Sequence, residues 1–175
     1  MYWIDIDDKY LDFLREFEER IPYSDYGTDK MKPFFGVLFD TEEFSYVTQV
    51  SHPQIRHEKM KQARDFYKLY DNDSNRLIGV VNLNYMFPVL KDKIVKLEMS
   101  NIDKIRTFKN ETQKSKYIDL LNRELKEINK LPIEKNAFKL YKDKYTYPES
   151  FISKRCLDYK ALENRARDWE NNRNK

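Results

Sequence analysis

The order of apolar patterns along the chain constrains its fold more than any other feature. Up to about residue 90 the apolar residues form short aromatic and β-branched runs, which are typical of strands. From about residue 101 they recur at helical spacing instead. Short strands followed by helices, without regular alternation, predict an α+β domain with a small, strongly curved antiparallel sheet. A length of 175 residues fits one domain, so we expect one core over 1–175.

The predicted strands come mainly as hairpins. Runs at 34–39 and 44–50 are joined by a short polar turn and predict one hairpin, and runs at 66–70 and 77–81 predict a second. Single strands are predicted at 2–6 and 86–90. The segment 51–57 is polar and contains a proline, so it is predicted to be a loop.

Four helices are predicted from apolar spacing. The first is capped by Asp7 or Asp8 and continues through Ile21 to the proline that follows. The second is marked by apolar residues over 117–128, the third by those over 137–141, and the fourth covers 157–169.

The scarce residues exclude several classes of site. The three glycines lie far apart, whereas a phosphate-binding loop of the P-loop or dinucleotide type needs several within a short span. Two histidines and one cysteine cannot build a zinc site of the finger or ribbon kind. We therefore expect no organic cofactor and no tightly held metal. No run approaches the roughly 18 apolar residues of a membrane span. The single cysteine and the absence of a signal-peptide pattern predict a cytoplasmic protein.

Charge is distributed unevenly beneath a net charge of +3. Residues 1–29 carry 3 Lys/Arg against 9 Asp/Glu, whereas residues 91–144 carry 15 against 9. Such a basic half favours a polyanionic partner, because neutralised phosphates drive nucleic-acid affinity. Lysine-rich helices are more often only solvated faces, so charge alone leaves both interpretations open.

The segment 51–61 carries the largest set of side chains that can do chemistry. It contains one hydroxyl, two imidazoles and several cations. An imidazole exchanges protons near neutral pH, and Arg or Lys can hold a phosphodiester. RNA supplies its own nucleophile, the 2′-hydroxyl, so a proton acceptor and a few cations suffice to cut it without a metal. DNA lacks that hydroxyl and would not be cut in this way.

Each candidate also has a purely structural interpretation. His52 could equally be a loop histidine that bonds the backbone, and for His57 the structural role is the stronger expectation. A serine protease is not indicated, because neighbouring residues at a strand end point to opposite sides and Ser51 has no glycine-rich turn around it. Lys32 is a second candidate cation or an ordinary solvated lysine. Asn82 either satisfies a turn or contacts a base edge, and the turn is favoured.

Several runs resemble one known family in both order and spacing. They are KYLDFL at 9–14, KPFFGVL at 32–38, YVTQVSHP at 46–53, GVVNLNYMFPV at 79–89 and CLDYKALE at 156–163. Together they resemble the ToxN/AbiQ family, the protein toxins of type III toxin–antitoxin systems. The run at 79–89 is the strongest part of the resemblance, which extends nearly from end to end.

The resemblance implies a fold, an activity and partners. The fold would be a compact SH3-like barrel of the Kid/MazF type, elaborated by helices. The activity would be metal-independent cleavage of cellular or phage RNA, leaving a 2′,3′-cyclic phosphate and a 5′-hydroxyl. The partner would be a small repeated RNA antitoxin, often a pseudoknot, which the toxin cuts from a precursor and which joins it in closed RNA-bridged complexes. Phage abortive infection or plasmid maintenance would be the biological role.

The resemblance also places the candidate active site. Ser51 falls on the family's hydroxyl position, His52 replaces its usual serine, and Gln54 replaces its usual lysine. Lys32 matches the family's lysine and Tyr26 a tyrosine upstream of it. These substitutions predict that His52 removes the 2′-hydroxyl proton, Lys32 stabilises the phosphoryl charge and Ser51 positions the phosphate.

The remaining candidates are predicted to bind RNA, the basic residues of 91–144 in a groove beside segment 51–61. They are Gln54, Arg56, His57, Lys59, Lys61, Asn82, Arg106, Lys109, Lys114 and Lys116. The alternative is a non-catalytic RNA-binding module with a degraded nuclease site. A DNA-binding regulator is weaker still, because no helix-turn-helix pattern is evident.

Overall fold

The computed structural model describes residues 1–24 and 32–173, with side chains through Trp169. The α+β prediction is confirmed. The strands are β1 (Tyr2–Ile6), β2 (Phe34–Asp40), β3 (Phe44–Ser51), β4 (Phe66–Tyr70), β5 (Leu77–Asn82), β6 (Phe87–Leu90) and β7 (Ile94–Lys96). The α-helices are α1 (Asp8–Arg15), α2 (Ile55–Lys59), α3 (Glu111–Ile128), α4 (Ile133–Thr146), α5 (Phe151–Arg155) and α6 (Tyr159–Arg173).

The strands form one antiparallel sheet in the order β4-β5-β3-β2-β1-β7, with β6 also paired to β3. One edge of β3 bonds to β2. Its other edge is shared, because 44–47 pair with β6 and 50–51 pair with β5. A 3₁₀ turn at Leu83–Tyr85 joins those two partners and redirects the chain.

The pairing of the described residues leaves the sheet open, and no ladder joins the end strands β4 and β7. The strand pairing therefore does not confirm the SH3-like barrel that the resemblance implied. Both predicted hairpins are confirmed, β2–β3 and β4–β5. Helices pack against the sheet, with α4 on β2 and α6 on β6.

Helix α1 is shorter than predicted. Asp7 caps its start by accepting hydrogen bonds from the backbone N–H groups of Lys9 and Tyr10. It ends at Arg15, because the chain then tightens through a bond from Phe17 N to Leu14 O (3.1 Å). Phe17 is left 56% exposed while Ile21 is buried, so the two do not share one helical face.

Three further elements differ from expectation. The segment predicted as a polar loop contains the short helix α2. Strand β7 has three residues and helix α5 has five, so both are too short to show a periodic pattern. In the part of the chain that the structure describes, no helix is long and apolar enough to cross a membrane.

Candidate active site

Two consecutive residues at the end of β3 open onto different cavities. Ser51 is the last residue of the strand and His52 follows it. Because successive side chains of a strand point to opposite faces, the two separate. His52 lines a cavity of about 60 Å³, which we call the His52 cavity. Ser51 lines a second cavity of about 170 Å³. The two residues, which were predicted to act on one phosphate, therefore line separate cavities.

The His52 cavity gathers four polar groups within apolar walls. The polar residues are Lys32, His52, Tyr117 and Glu124. The walls are Trp3, Pro33, Val50, Leu120 and Leu121. Lys32 and His52 were predicted to act together, and the structure places both on this cavity.

Lys32 is positioned by its backbone at the entrance to β2. Its carbonyl oxygen accepts a hydrogen bond from the Gln49 amide (2.8 Å), which also donates to the carbonyl of Tyr23 (2.8 Å). Its N–H donates to the Ser24 carbonyl (2.8 Å). Burial lowers the pKa of the Lys32 ammonium, and the Glu124 carboxylate opposes that shift.

Glu124 is a buried carboxyl that the sequence analysis missed. It lies on α3, is 6% exposed, and occupies the helix face of Leu121 and Ile128. Burial raises the pKa of Glu124 to about 8, and the Lys32 ammonium counteracts part of this rise. A glutamate on the apolar face of an amphipathic helix is the signal that could have identified it.

Strand β5 provides the space that Glu124 occupies. A Cβ atom on Gly79 would stand 3.2 Å from Oε1 of Glu124 and 2.5 Å from Cγ1 of Val50. The glycine therefore lets α3 approach the sheet closely at this point. Gly79 is also the first residue of the 79–89 run, which carries the strongest family resemblance. The start of that run therefore leaves room for the Glu124 carboxyl.

A long groove adjoins the His52 cavity. It measures about 710 Å³ and shares His52 and Leu120 with the cavity. Three cationic side chains line it, Arg76, Lys116 and Arg123. Within residues 1–24 and 32–169, Arg76 and Lys116 make no ion pair. Arg123 is held by Asp71 (3.5 Å) and Asp119. The groove can therefore hold a phosphate backbone along its length.

The segment that contains helix α2 places none of its predicted cations on the lining of this groove. Gln54 and Ile55 line it, whereas Arg56, Lys59 and Lys61 are exposed but do not. His57 is buried, and its Nδ1 accepts a hydrogen bond from the Gln54 N–H (3.1 Å). His57 thus fixes the start of α2 rather than facing the groove.

The other predicted RNA-binding residues are dispersed. Lys116 lines the groove. Arg106 lies over the ring of Tyr117 (4.2 Å), and Lys114 is paired with Asp103. Lys109 is exposed beyond the groove lining. Asn82 lines the second cavity with Ser51, Arg20 and Tyr85. Tyr26, predicted to be catalytic, lies outside the described residues.

The arrangement suits proton transfer and charge stabilisation at a phosphodiester. A groove lined by cationic side chains adjoins a cavity that is lined by an imidazole, an ammonium and a buried carboxyl. These groups can accept a proton, stabilise an anion and donate a proton. Among the described side chains, no group of three His, Cys, Asp or Glu is placed to hold a metal ion.

Comparison with known proteins gives consistent matches. The family model described as "Toxin ToxN, type III toxin-antitoxin system" matches residues 2–167. The Endoribonuclease ToxN of Pectobacterium atrosepticum is 26% identical over 105 residues. That alignment covers 58% of this chain and 61% of the relative, so it spans less than two thirds of the relative's length.

Solved structures match the fold over nearly the whole chain. One, described as selective toxin inhibition by a non-coding RNA pseudoknot, has a TM-score of 0.75 at 22% identity and covers 96% of each chain. Another, AbiQ, described as a lactococcal anti-phage endoribonuclease, has a TM-score of 0.76 at 18% identity and covers 97% of this chain and 98% of its own. At such identities the likeness shows the fold.

Proposed function

The chain belongs to the ToxN family of toxins from type III toxin–antitoxin systems, and we propose that it is an endoribonuclease that cuts RNA at the His52 cavity. One observation carries the proposal. The Lys32 ammonium and the His52 imidazole line one small cavity, and a groove lined by cationic side chains adjoins it at His52 and Leu120. RNA lying in that groove would bring a phosphodiester to both groups.

In the proposed reaction the 2′-hydroxyl of RNA attacks the neighbouring phosphorus. His52 accepts the hydroxyl proton, and Lys32 stabilises the negative charge that grows on the phosphoryl oxygens. The products are a 2′,3′-cyclic phosphate and a 5′-hydroxyl. No metal is needed, because the substrate supplies the nucleophile and the protein supplies the proton acceptor and the cation.

The second cavity has a separate part in the proposal. Ser51 and Asn82, two of its polar side chains, line a different cavity from the one that His52 lines. We assign them to binding the strand beside the scissile bond. Tyr26 keeps its predicted catalytic role as part of this proposal.

The proposed partners follow from the family. We propose that a small repeated RNA, cut from a precursor, occupies the groove and inhibits the toxin in a closed RNA-bridged complex. A relative is described as being inhibited by a non-coding RNA pseudoknot, and AbiQ as anti-phage. Cellular or phage RNA would be the substrate, the cytoplasm the location and phage defence the role. Kinship of the bent sheet with the SH3-like barrel of Kid and MazF toxins is part of the same proposal.

The test uses the purified chain and RNA of defined sequence. We expect cleavage in EDTA, with 2′,3′-cyclic phosphate and 5′-hydroxyl ends, and none when the scissile nucleotide carries a 2′-hydrogen. His52→Ala should slow cleavage by about 10²–10⁴-fold, the usual effect of losing a general base. Lys32→Ala should reduce the cleavage rate more than RNA affinity, because the charge it meets develops in the transition state.

Lys139→Ala is the matched control, since Lys139 is exposed on α4 and lines neither cavity nor the groove. It should cut at the wild-type rate. RNA that is bound but never cut by the wild-type chain would instead identify a non-catalytic RNA-binding module. If His52→Ala cuts RNA at the wild-type rate, the general base is a residue other than His52. The proposed antitoxin is tested by co-expression: short DNA repeats that lie next to the coding sequence should relieve the toxicity of this chain when they are transcribed with it.

A further inference from the structure

The proposed reaction also needs a proton donor for the departing 5′-oxygen, and no residue has yet been assigned to that role. When the 2′-oxygen bonds to phosphorus, the bond from phosphorus to the 5′-oxygen breaks and its electron pair stays on that oxygen. An alkoxide is a poor leaving group, so the oxygen needs a proton as it departs. His52 receives a proton in this step and Lys32 has to keep its charge. A separate proton donor is therefore required.

Glu124 is the group in the cavity that is free for this task. The titratable side chains that line the cavity with it are Lys32 from the entrance to β2, His52 from the end of β3 and Tyr117 from α3 itself. From strand β5, the residue closest to the Glu124 carboxyl in this packing is Gly79, which has no side chain to titrate. The remaining cavity walls are apolar. The carboxyl thus lies in the same small space as the two residues assigned to the reaction.

We propose that Glu124 is a further catalytic residue, the general acid that gives its proton to the departing 5′-oxygen. The inference rests on the proposed function. The step balances: the 2′-oxygen–phosphorus bond forms, the phosphorus–5′-oxygen bond breaks, the proton of Glu124 moves to the 5′-oxygen, and the 2′-hydroxyl proton moves to His52. After the products leave, the imidazolium returns a proton to the carboxylate through water.

The protonation state of Glu124 suits this role. Because burial raises its pKa to about 8, the carboxyl holds a proton at neutral pH and can release it to a stronger base. The Lys32 ammonium limits the rise, so the acid is not too weak to act. A cavity of about 60 Å³ has room for water, and the proton can pass directly or across one water molecule.

The decisive experiment compares two leaving groups on one RNA sequence. The first substrate is ordinary RNA, and the second has sulfur in place of the 5′-oxygen at the scissile bond. A thiolate leaves without being protonated, so it does not need a general acid. Glu124→Gln should slow cleavage of the ordinary RNA by about 10²–10⁴-fold. The same variant should cut the sulfur substrate within a few-fold of the wild-type rate, whereas His52→Ala should be slow on both.

The pH dependence gives a second readout that needs no variant. Above about pH 8 the wild-type rate on ordinary RNA should fall relative to its rate on the sulfur substrate, because Glu124 loses its proton. Glu124→Gln should lack this relative fall, and Glu124→Asp should retain it with a reduced rate.

Four outcomes separate the possible failures. Equal slowing of both substrates by Glu124→Gln would make Glu124 a structural residue and overturn the proposal, as would wild-type cleavage of ordinary RNA by that variant. If the variant does not fold, a wild-type rate ratio that stays constant through pH 8 overturns it. A wild-type chain that cuts neither substrate refutes the proposed function itself.

Discussion

Substitution of Gly79 by alanine tests whether the close approach of α3 to the sheet is as tight as the structure has it. The added methyl would stand 2.5 Å from Cγ1 of Val50, and 3.2 Å from both Oε1 of Glu124 and Cδ1 of Leu69. Val50 and Leu69 are buried and cannot swing into solvent. Overpacking of this kind typically costs about 1–3 kcal/mol. At about 2–4 °C per kcal/mol for a chain of this size, Gly79→Ala should lower the Tm by roughly 2–12 °C.

The measurement is thermal and urea unfolding of Gly79→Ala, Val50→Ala and the double variant. Val50→Ala removes the methyl that the new Cβ would meet, so the double variant should be destabilised by less than the sum of the single variants. Double-mutant cycles of contacting residues give coupling of about 0.5–3 kcal/mol. An unchanged Tm for Gly79→Ala, or strictly additive effects, would refute the packing argument.

Two further predictions concern the groove and helix α2. The double variant Arg76→Ala/Lys116→Ala, which removes two cations from the groove, should weaken RNA binding. It should also reduce the slope of the logarithm of the RNA-binding constant against the logarithm of the salt concentration by about 1.4–1.8, because each lost phosphate contact removes about 0.7–0.9. Lys139→Ala should leave the slope unchanged, and an unchanged slope in the double variant would show that the groove does not bind RNA. His57 has a lowered pKa from burial and the nearby Arg56 and Lys68 cations. The His57 imidazole therefore binds a proton more tightly in the unfolded chain than in the folded one. The stabilising contribution of neutral His57 should be lost as the pH falls below about 6.5. Acid unfolding curves that coincide for the wild type and His57→Gln would contradict this.

Much of the fold follows from local sequence. The aromatic and β-branched runs at 34–39, 44–50 and 66–70 have strong preferences of their own, and the turns between them are short. The ends of β4 agree with the predicted bounds, and those of β2 and β3 to within one residue. Helix α1 is shorter than predicted, and beyond its end Phe17 is exposed while Ile21 is buried, a distribution that only the tertiary fold decides.

The candidate site divides in the same way. The sequence alone predicted Lys32 and His52 as candidates, because an imidazole and a cation are recognisable wherever they lie, and the structure places both on one cavity. It also contained the reason why Ser51 and His52 line different cavities, since a period of two sends neighbours on a strand to opposite faces. The order of residues thus determined which side chains could do chemistry and which pair had to separate.

Only the tertiary structure decided what surrounds those side chains. Glu124 is 92 residues from Lys32 in sequence and shares its cavity because α3 crosses the sheet at Gly79. Its pKa depends on that burial rather than on its residue type. Lys114 and Lys116 were both predicted to bind RNA, but the tertiary structure gives them different surroundings. Lys116 lines the groove, whereas Lys114 is paired with Asp103. Desolvation and ion pairing arise from groups distant in sequence, so no local pattern encodes them.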